Sequence, residues 1–129
     1  MNILLVDDEK INTLSASRLL EKNGFTVTVA TNGREALDKL HEDDFDCILM
    51  DIQMPEMDGF EAISRIRDDF IFGEKSQTPI IAMTGHCYED AFEQFRQAGV
   101  KYYICKPFDF NTMLDTIKEA TSQGAMEAS

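Results

Sequence analysis

Five short apolar segments, each about as long as a β-strand, recur along the chain and constrain its fold more than any other feature. They occupy residues 3–6, 27–30, 47–50, 80–83 and 102–105. Most of them are continuous rather than alternating. Continuous apolar runs are typical of strands in a parallel sheet whose two faces are both covered by helices.

Segments with the apolar spacing of helices separate these runs. They occupy residues 9–23, 34–41, 59–69, 88–98 and a last segment that starts at residue 110. The last segment is the clearest, because Phe110, Met113, Leu114 and Ile117 recur at i, i+3, i+4 and i+7. This alternation predicts an α/β fold with five βα units, a doubly wound five-stranded parallel sheet and three α/β/α layers.

Two segments are less regular. Residues 68–78, DDFIFGEKSQT, form a long connection that contains an apolar Phe70–Phe72 triplet. We expect this triplet to extend the third helix and cover the core; an interaction surface is the alternative. We predict one domain over residues 1–121, followed at 122–129 by a flexible tail, a linker or an artificial remnant.

Length and charge exclude several classes of protein. The 129 residues are enough for one domain, and no segment approaches the ~20 apolar residues of a membrane span. The amino-terminal residues lack the features of a signal peptide, so we expect a cytoplasmic protein. The formal net charge of −12 repels phosphate backbones, which argues against direct binding of nucleic acid and favours partners with basic or apolar patches.

The three cysteines lie far apart in the sequence. Their number and spacing suggest neither a zinc site nor a disulfide framework. Cys47 and Cys105 fall in apolar runs and are predicted to be small core residues, whereas the sequence gives no clear indication for Cys87.

Polar side chains follow four of the five apolar runs. In an open parallel sheet, ligands bind at the carboxyl ends of the strands, so these residues are expected to converge there. The polar residues in question are Asp7, Asp8, Glu9, Asp51, Thr84 and Lys106, and they are followed by Gly85 after Thr84 and by Pro107 after Lys106.

Each of these residues also has a purely structural interpretation. Asp7 and Asp8 could cap the first helix, and Thr84 could cap the fourth. Asp51 could stabilise a turn, and Lys106 could be a solvated strand end. Convergence of all of them at corresponding positions favours a functional site.

The chemistry of this cluster favours a hard cation. Crowded carboxylates repel one another unless a cation lies between them, and oxygen ligands without a His or Cys pair favour Mg²⁺. A lysine and a hydroxyl nearby are donors for phosphoryl oxygens. Because neither GxxxxGK[ST] nor GxGxxG occurs, no nucleotide site is evident, and a carboxylate could instead receive a phosphoryl group covalently.

The motifs LLVDDE, LMDIQMPEMDG, IIAMTGH and YYICKPF resemble those of the receiver domain of two-component response regulators. The resemblance covers residues 1–121 and implies a flavodoxin-like fold. It implies that Asp51 accepts a phosphoryl group from a phosphohistidine on a histidine kinase or a histidine phosphotransfer protein. Asp8 would be the main Mg²⁺ ligand, supported by Asp7, by Asp51 and by the backbone carbonyl of Gln53.

The resemblance also implies a switch. Lys106 would pair with the phosphoryl oxygens, Thr84 would move to hydrogen-bond them, and Tyr103 would be the aromatic residue that changes rotamer with it. The output face of the family corresponds to residues 86–121, which is also a possible dimer interface.

Three further positions follow from the same resemblance. Gln53 and His86 would tune how fast water reaches the acyl phosphate. The Lys106–Pro107 bond would be a cis peptide.

The motif details are most similar to receivers of hybrid sensor histidine kinases. A stand-alone receiver and the receiver of a DNA-binding regulator remain alternatives, and the flanking sequence of the gene would decide among the three. From other classes, the alternatives are a receiver-like interaction module that never accepts phosphate and a Mg²⁺-dependent phosphohydrolase. The phosphohydrolase would need a DxD pattern that Asp51-Ile52-Gln53 lacks. The domain alone would be a phosphoacceptor that dephosphorylates itself, while the enzymatic status of a parent protein stays open.

Overall fold

The computed structural model of the chain describes residues 1–52, 59–85, 89–106 and 109–128, with the backbone alone at 89–90 and 123–128. Within these residues, one sheet contains the five predicted strands. The strands are β1 (Asn2–Val6), β2 (Thr26–Ala30), β3 (Cys47–Asp51), β4 (Ile80–Thr84) and β5 (Tyr102–Cys105). All pair in parallel in the order β2-β1-β3-β4-β5, which confirms the predicted sheet.

The helices that alternate with the strands match the predicted segments except around residue 68. They are α1 (Lys10–Lys22), α2 (Gly33–Glu42), α3 (Gly59–Ile66), α4 (Asp69–Phe72), α5 (Glu89–Gln97) and α6 (Phe110–Ala128), with a 3₁₀ helix at Gly73–Gln77. The backbone of α6 continues through residues 122–128, for which a tail, linker or remnant was predicted.

The sheet lies between two apolar layers, as the continuous strand runs predict. In β1, Leu4 and Val6 face the cluster that includes α2, α3 and α5. Ile3 and Leu5 face the cluster that includes α1 and α6. Because both faces are covered, every residue of β3 and β4 is buried. This arrangement confirms the three-layer α/β/α architecture.

The Phe70–Phe72 triplet does not extend the third helix. Asp68 begins a separate short helix, because its Oδ1 accepts the N–H of Phe70 at 3.0 Å. Phe72 is buried, but Phe70 is 95% exposed and Ile71 is 51% exposed. The expectation that the triplet covers the core is therefore correct for Phe72 and wrong for the other two residues.

The cysteines depart from the prediction at one position. Cys47 is a buried free thiol in β3, as expected. Cys105 is half-buried and disulfide-bonded, so its predicted role as a core thiol is wrong. The reason is its position: it is the last residue of the edge strand β5, opposite Thr84 at the carboxyl edge of the sheet. Cys87 lies outside the described residues.

Candidate active site

The predicted site residues meet at the carboxyl edge of the sheet because backbone hydrogen bonds hold the strand ends together. The N–H of Asp7 donates to the carbonyl of Ala30 at 3.1 Å, continuing the pairing of β1 with β2. The N–H of Lys106 donates to the carbonyl of Thr84 at 2.7 Å, continuing the pairing of β4 with β5. The side chains after β1 and β5 therefore project from defined positions.

Three carboxylates form the centre of this site. One oxygen from each of Asp7, Asp8 and Asp51 lies within 4.8 Å of the others. Asp7 and Asp51 are buried, whereas Asp8 is exposed. Three carboxylate oxygens at this separation match the hard donor set that Mg²⁺ prefers, and the exposed member leaves a side open to water.

Lys106 supplies the positive charge at this site. Its Nζ donates to Asp51 Oδ1 at 3.1 Å, and its side chain is one-third exposed. The interpretation of Lys106 as a solvated strand end is therefore wrong. A charge-assisted hydrogen bond to a buried carboxylate places the ammonium group where it also reaches a group attached to that carboxylate.

The electrostatics of Asp7 reflect this crowding. Burial raises the pKa of Asp7 to about 6, from an ordinary value of 3.8. The N–H of Glu9, which donates to Asp7 Oδ1 at 3.0 Å, opposes this increase in pKa, and the negative charge of Asp51 adds to it. Glu9 precedes α1, so Asp7 orders the chain that enters the helix without accepting an N–H of the helix itself.

Thr84 and Tyr103 lie on adjacent strands. Thr84 is buried as the last residue of β4, and Gly85 after it is not helical, so Thr84 is not the N-cap of the following helix. The ring of Tyr103 is partly exposed and stacks on Phe92 of α5, with ring centroids 4.1 Å apart. Tyr103 therefore belongs to the face that β5 and α5 share.

Comparison with known proteins identifies the family. A family profile described as the response regulator receiver domain matches residues 3–118. The chain is a response regulator receiver domain. Its flavodoxin-like fold and its place in two-component signalling are those of that family.

Two curated relatives represent different types of protein, a hybrid histidine kinase and a response regulator. The chain is 38% identical over 120 residues to hybrid signal transduction histidine kinase I of Dictyostelium discoideum, covering 89% of this chain and 7% of that protein. It is 36% identical over 117 residues to the polar-differentiation response regulator DivK of Brucella anthropi, covering 91% of this chain and 93% of that protein. The chain spans between 7% and 15% of the length of five histidine kinases among its relatives.

A solved structure shows the same architecture. The receiver domain of sensor histidine kinase PA1611 from Pseudomonas aeruginosa PAO1 aligns with a TM-score of 0.83 and 30% identity, over 94% of this chain and 97% of that chain. That structure has a magnesium ion coordinated in its active site cleft.

The sequence predicts that Gly59 starts a helix beside the phosphorylation pocket, but it does not show how closely this residue approaches the backbone of Asp51 and Ile52. A Cβ at Gly59 would lie 2.6 Å from Ile52 Cα and 2.8 Å from the Asp51 carbonyl oxygen. The amino end of α3 thus contacts the backbone of the phosphoacceptor candidate directly, and only glycine allows this approach. The glycine that opens the helix after MPEMD was the available signal.

A cavity of about 620 Å³ beside the site was also missed. It lies between α1 and α6, and Asp7 and Lys106 line it together with Leu5, Met83 and Phe110. No spacing in the sequence indicates such a gap, because it arises from how two helices distant in sequence pack on the sheet.

Several predicted features fall outside the described residues. Gln53, His86 and Pro107 are among them, so the backbone ligand, the two tuning positions and the cis peptide stay predictions. Within the described part of the chain, no helix is long and apolar enough to cross a membrane. Most of the output face at 86–121 is described, but its use as a dimer interface stays a prediction.

Proposed function

We propose that Asp51 accepts a phosphoryl group from a phosphohistidine and becomes an aspartyl phosphate. The observation that carries this proposal is the pairing of a buried Asp51 carboxylate with the Lys106 ammonium at 3.1 Å, beside two further carboxylates. One lysine is enough to neutralise a structural carboxylate. Asp7 and Asp8 add negative charge beside this pair, and their mutual repulsion is unfavourable unless a cation binds between them. Such clusters are typical of functional sites.

In the proposed transfer, a carboxylate oxygen of Asp51 attacks phosphorus. The O–P bond forms as the P–N bond to the donor imidazole breaks, and the electron pair of that bond returns to the nitrogen. A solvent proton then completes the neutral imidazole. Lys106 balances the charge on the phosphoryl oxygens during this transfer, because its Nζ already lies at the attacking carboxylate.

Receiver domains bind a magnesium ion, and we propose that Asp7, Asp8 and Asp51 are its ligands in this chain. Their oxygen atoms and mutual separation fit this ion. The pKa of Asp7 is raised by burial and by repulsion from Asp51 and Asp8, and a bound cation would offset this repulsion. When bound, Mg²⁺ would neutralise charge that develops on the phosphoryl oxygens. The magnesium ion in the cleft of the related receiver domain from Pseudomonas aeruginosa supports this assignment.

We propose that Thr84 and Tyr103 convert the new charge into a change of surface. The phosphoryl group adds about −1.5 to −2 charge at neutral pH, and a hydroxyl at the end of β4 can donate to it. Tyr103 packs on Phe92, so any movement at the strand end reaches α5 directly. The face formed by α5, β5 and α6 is therefore the proposed output surface.

The proposed phosphodonor is a histidine kinase or a histidine phosphotransfer protein, the partners with which receiver domains interact. Ile11 and Leu14 on α1 are 81% and 52% exposed, and α1 starts directly after Asp8 and Glu9. Apolar side chains beside the acidic site suit a partner that excludes water from the transferring phosphoryl group. We propose that Ile11 and Leu14 contact the donor.

For the parent protein, we favour a cytoplasmic receiver of a hybrid sensor histidine kinase. The identity of 38% to the Dictyostelium hybrid kinase supports this proposal. A stand-alone receiver is the second candidate, because the Brucella DivK regulator is hardly longer than the matched region. The sequence that flanks this segment in the gene would decide. Kinase domains would indicate a hybrid kinase, a DNA-binding domain would indicate a DNA-binding regulator, and neither would indicate a stand-alone receiver.

Intact mass spectrometry after incubation with Mg²⁺ and acetyl phosphate tests the proposed chemistry. We expect a gain of one phosphate in the wild-type protein, no gain in Asp51→Asn, and loss of the gain when EDTA is added. Absence of the gain in a folded wild-type protein would contradict the proposal and favour an interaction module that never accepts phosphate. Release of inorganic phosphate that persists in Asp51→Asn would instead indicate a phosphohydrolase.

A further inference from the structure

The short helix α4 and the 3₁₀ helix after it present two apolar side chains to solvent. Phe70 is 95% exposed and Ile71 is 51% exposed. Three exposed acids, Asp68, Asp69 and Glu74, lie in the same segment. We call these five residues the Phe70 surface.

The Phe70 surface lies at the opposite edge of the sheet from Asp51. The segment that carries it leads into the amino end of β4, whereas Asp51 stands at the carboxyl end of β3, and the two strands run parallel. At about 3.3 Å per residue, strands of this length place the two edges more than about 13 Å apart. A partner at the Phe70 surface would therefore leave Asp51 accessible.

Arg67 fixes this segment to the rest of the domain. Its guanidinium donates to the carbonyls of Ser76 and Thr78, both at 2.7 Å, and to the carbonyl of Gly99 at 3.0 Å. One side chain thus joins the end of α3 to both the 3₁₀ region and the turn before β5.

Lys75 and Phe72 fix the segment to α2. Lys75 Nζ donates to the carbonyl oxygens of Leu40 at 2.7 Å and Asp43 at 3.2 Å, at the carboxyl end of that helix. Phe72 is buried and stacks on His41, with ring centroids 4.3 Å apart. None of these contacts involves the side chains of Phe70 or Ile71, so the framework holds both outward without using them.

An exposed aromatic side chain on a rigid framework has the properties of a binding anchor. Aromatic residues dominate the energetics of interfaces, and a preordered anchor loses little conformational entropy on binding. Phe72, in the same short helix, is buried, which shows that the segment already satisfies its own packing.

The charges around Phe70 determine which partner fits. Asp68, Asp69 and Glu74 are exposed and lie close to it in the sequence, and the almost fully exposed Asp44 lies 3.6 Å from Lys75 Nζ. Lys75 in this segment and Arg67 just before it direct their positive charges at backbone carbonyls, whereas the three carboxylates are exposed. The outward charge is therefore negative, which disfavours a second copy of this acidic chain and an anionic membrane.

We propose that the Phe70 surface docks an amphipathic helix of a partner protein whose apolar stripe is bordered by Lys and Arg. Phe70 and Ile71 contact the stripe, and the surrounding acids face its basic borders. This site is separate from the phosphoacceptor and from the α5–β5–α6 face.

An NMR titration of the ¹⁵N-labelled protein tests the proposal. The probe is a synthetic amphipathic helix of Leu and Lys, and the matched probe carries Glu in place of Lys. We expect the Leu/Lys helix to shift amides in the 68–74 segment, and Phe70→Ser/Ile71→Ser to weaken its binding by about tenfold or more. The Leu/Glu helix should not bind.

The matched variant is Leu19→Ser, which makes the same kind of chemical change at an exposed apolar residue of α1. It should retain the affinity for the Leu/Lys helix, whereas Phe70→Ser/Ile71→Ser should retain the wild-type melting temperature and the phosphate mass gain. Unchanged affinity in the Phe70 variant, or shifts centred on α1, would overturn the proposal. So would equal binding of the Leu/Glu helix, or a wild-type dimer in sedimentation that Phe70→Ser/Ile71→Ser dissociates. The mass gain is read separately, so failure of the docking site and failure of Asp51 phosphorylation are distinguishable.

Discussion

Replacing Asp7 with Asn should stabilise the protein in the absence of Mg²⁺. Asp7 is buried beside Asp51, and burial raises its pKa from 3.8 to about 6. Asn has the same shape, and its Oδ1 can still accept the N–H of Glu9, which lies 3.0 Å from Asp7 Oδ1. The substitution therefore removes an unfavourable buried charge and keeps the local hydrogen bond.

The magnitude follows from the pKa change. A folded-state pKa above the unfolded value means that the folded protein binds the proton more tightly. Ionisation of Asp7 thus reduces stability as pH rises from about 4, and the loss is complete above about 6. A change from 3.8 to about 6 corresponds to at most about 3 kcal/mol. The adjoining cavity and the exposed Asp8 admit water, so we expect about 1 to 3 kcal/mol, or about 3 to 9 °C in melting temperature.

Thermal unfolding by circular dichroism in EDTA measures this effect at pH 8 and at pH 4. Asp7→Asn should melt above wild type at pH 8 and close to it at pH 4. Mg²⁺ should raise the melting temperature of wild type much more than that of the variant. Asp38→Asn, which removes one exposed carboxylate from α2, controls for net charge and should change little. Equal or lower stability of Asp7→Asn at pH 8, or a gain that does not depend on pH, would refute the reasoning.

Three further predictions concern residues outside the acidic cluster. Gly59→Ala should lower the free energy of unfolding by about 2 kcal/mol or more and slow phosphorylation, because the added Cβ would lie 2.6 Å from Ile52 Cα. Urea unfolding measures the stability, and the rate of mass gain measures phosphorylation. A variant with wild-type stability would contradict the close contact. Arg67→Met should lower the free energy of unfolding in urea by about 2 to 4 kcal/mol, because it removes the hydrogen-bond donor of three carbonyls. Arg65→Met is the control: it loses only a surface ion pair and should lower the free energy of unfolding by less than about 1 kcal/mol. Equal effects of the two substitutions would be inconsistent with the anchoring role of Arg67. Burial raises the pKa of the Cys47 thiol to about 12, so iodoacetamide at pH 8 should alkylate it only after unfolding, and rapid labelling of the native protein, read by peptide mass, would show that the thiol is accessible.

The strands and the acidic site could be predicted because their signals are local. A strand buried on both faces must be a continuous apolar run, and β3 and β4 are buried at every residue. In a parallel sheet, the residue after each run lies at the same edge, so Asp51 and Lys106 meet although they are 55 residues apart.

Other features depend on tertiary contacts that no local pattern encodes. Helical spacing on α1 includes Ile11 and Leu14, but spacing does not tell whether another element covers them, and both are exposed. A cap at Asp68 ends the expected continuation of α3 and turns Phe70 outward. Cys105 ends an apolar run, yet the edge of the sheet places it outside the core.

Chemical trapping tests most directly whether the phosphoryl group is bound to Asp51. Sodium borohydride reduces an aspartyl phosphate to homoserine, and tandem mass spectrometry of the peptides then locates the reduced residue. After treatment with acetyl phosphate and Mg²⁺, we expect homoserine at position 51 and unmodified aspartate at Asp7 and Asp8. Homoserine at position 7 or 8, or a phosphate that remains on a histidine after reduction, would contradict the account.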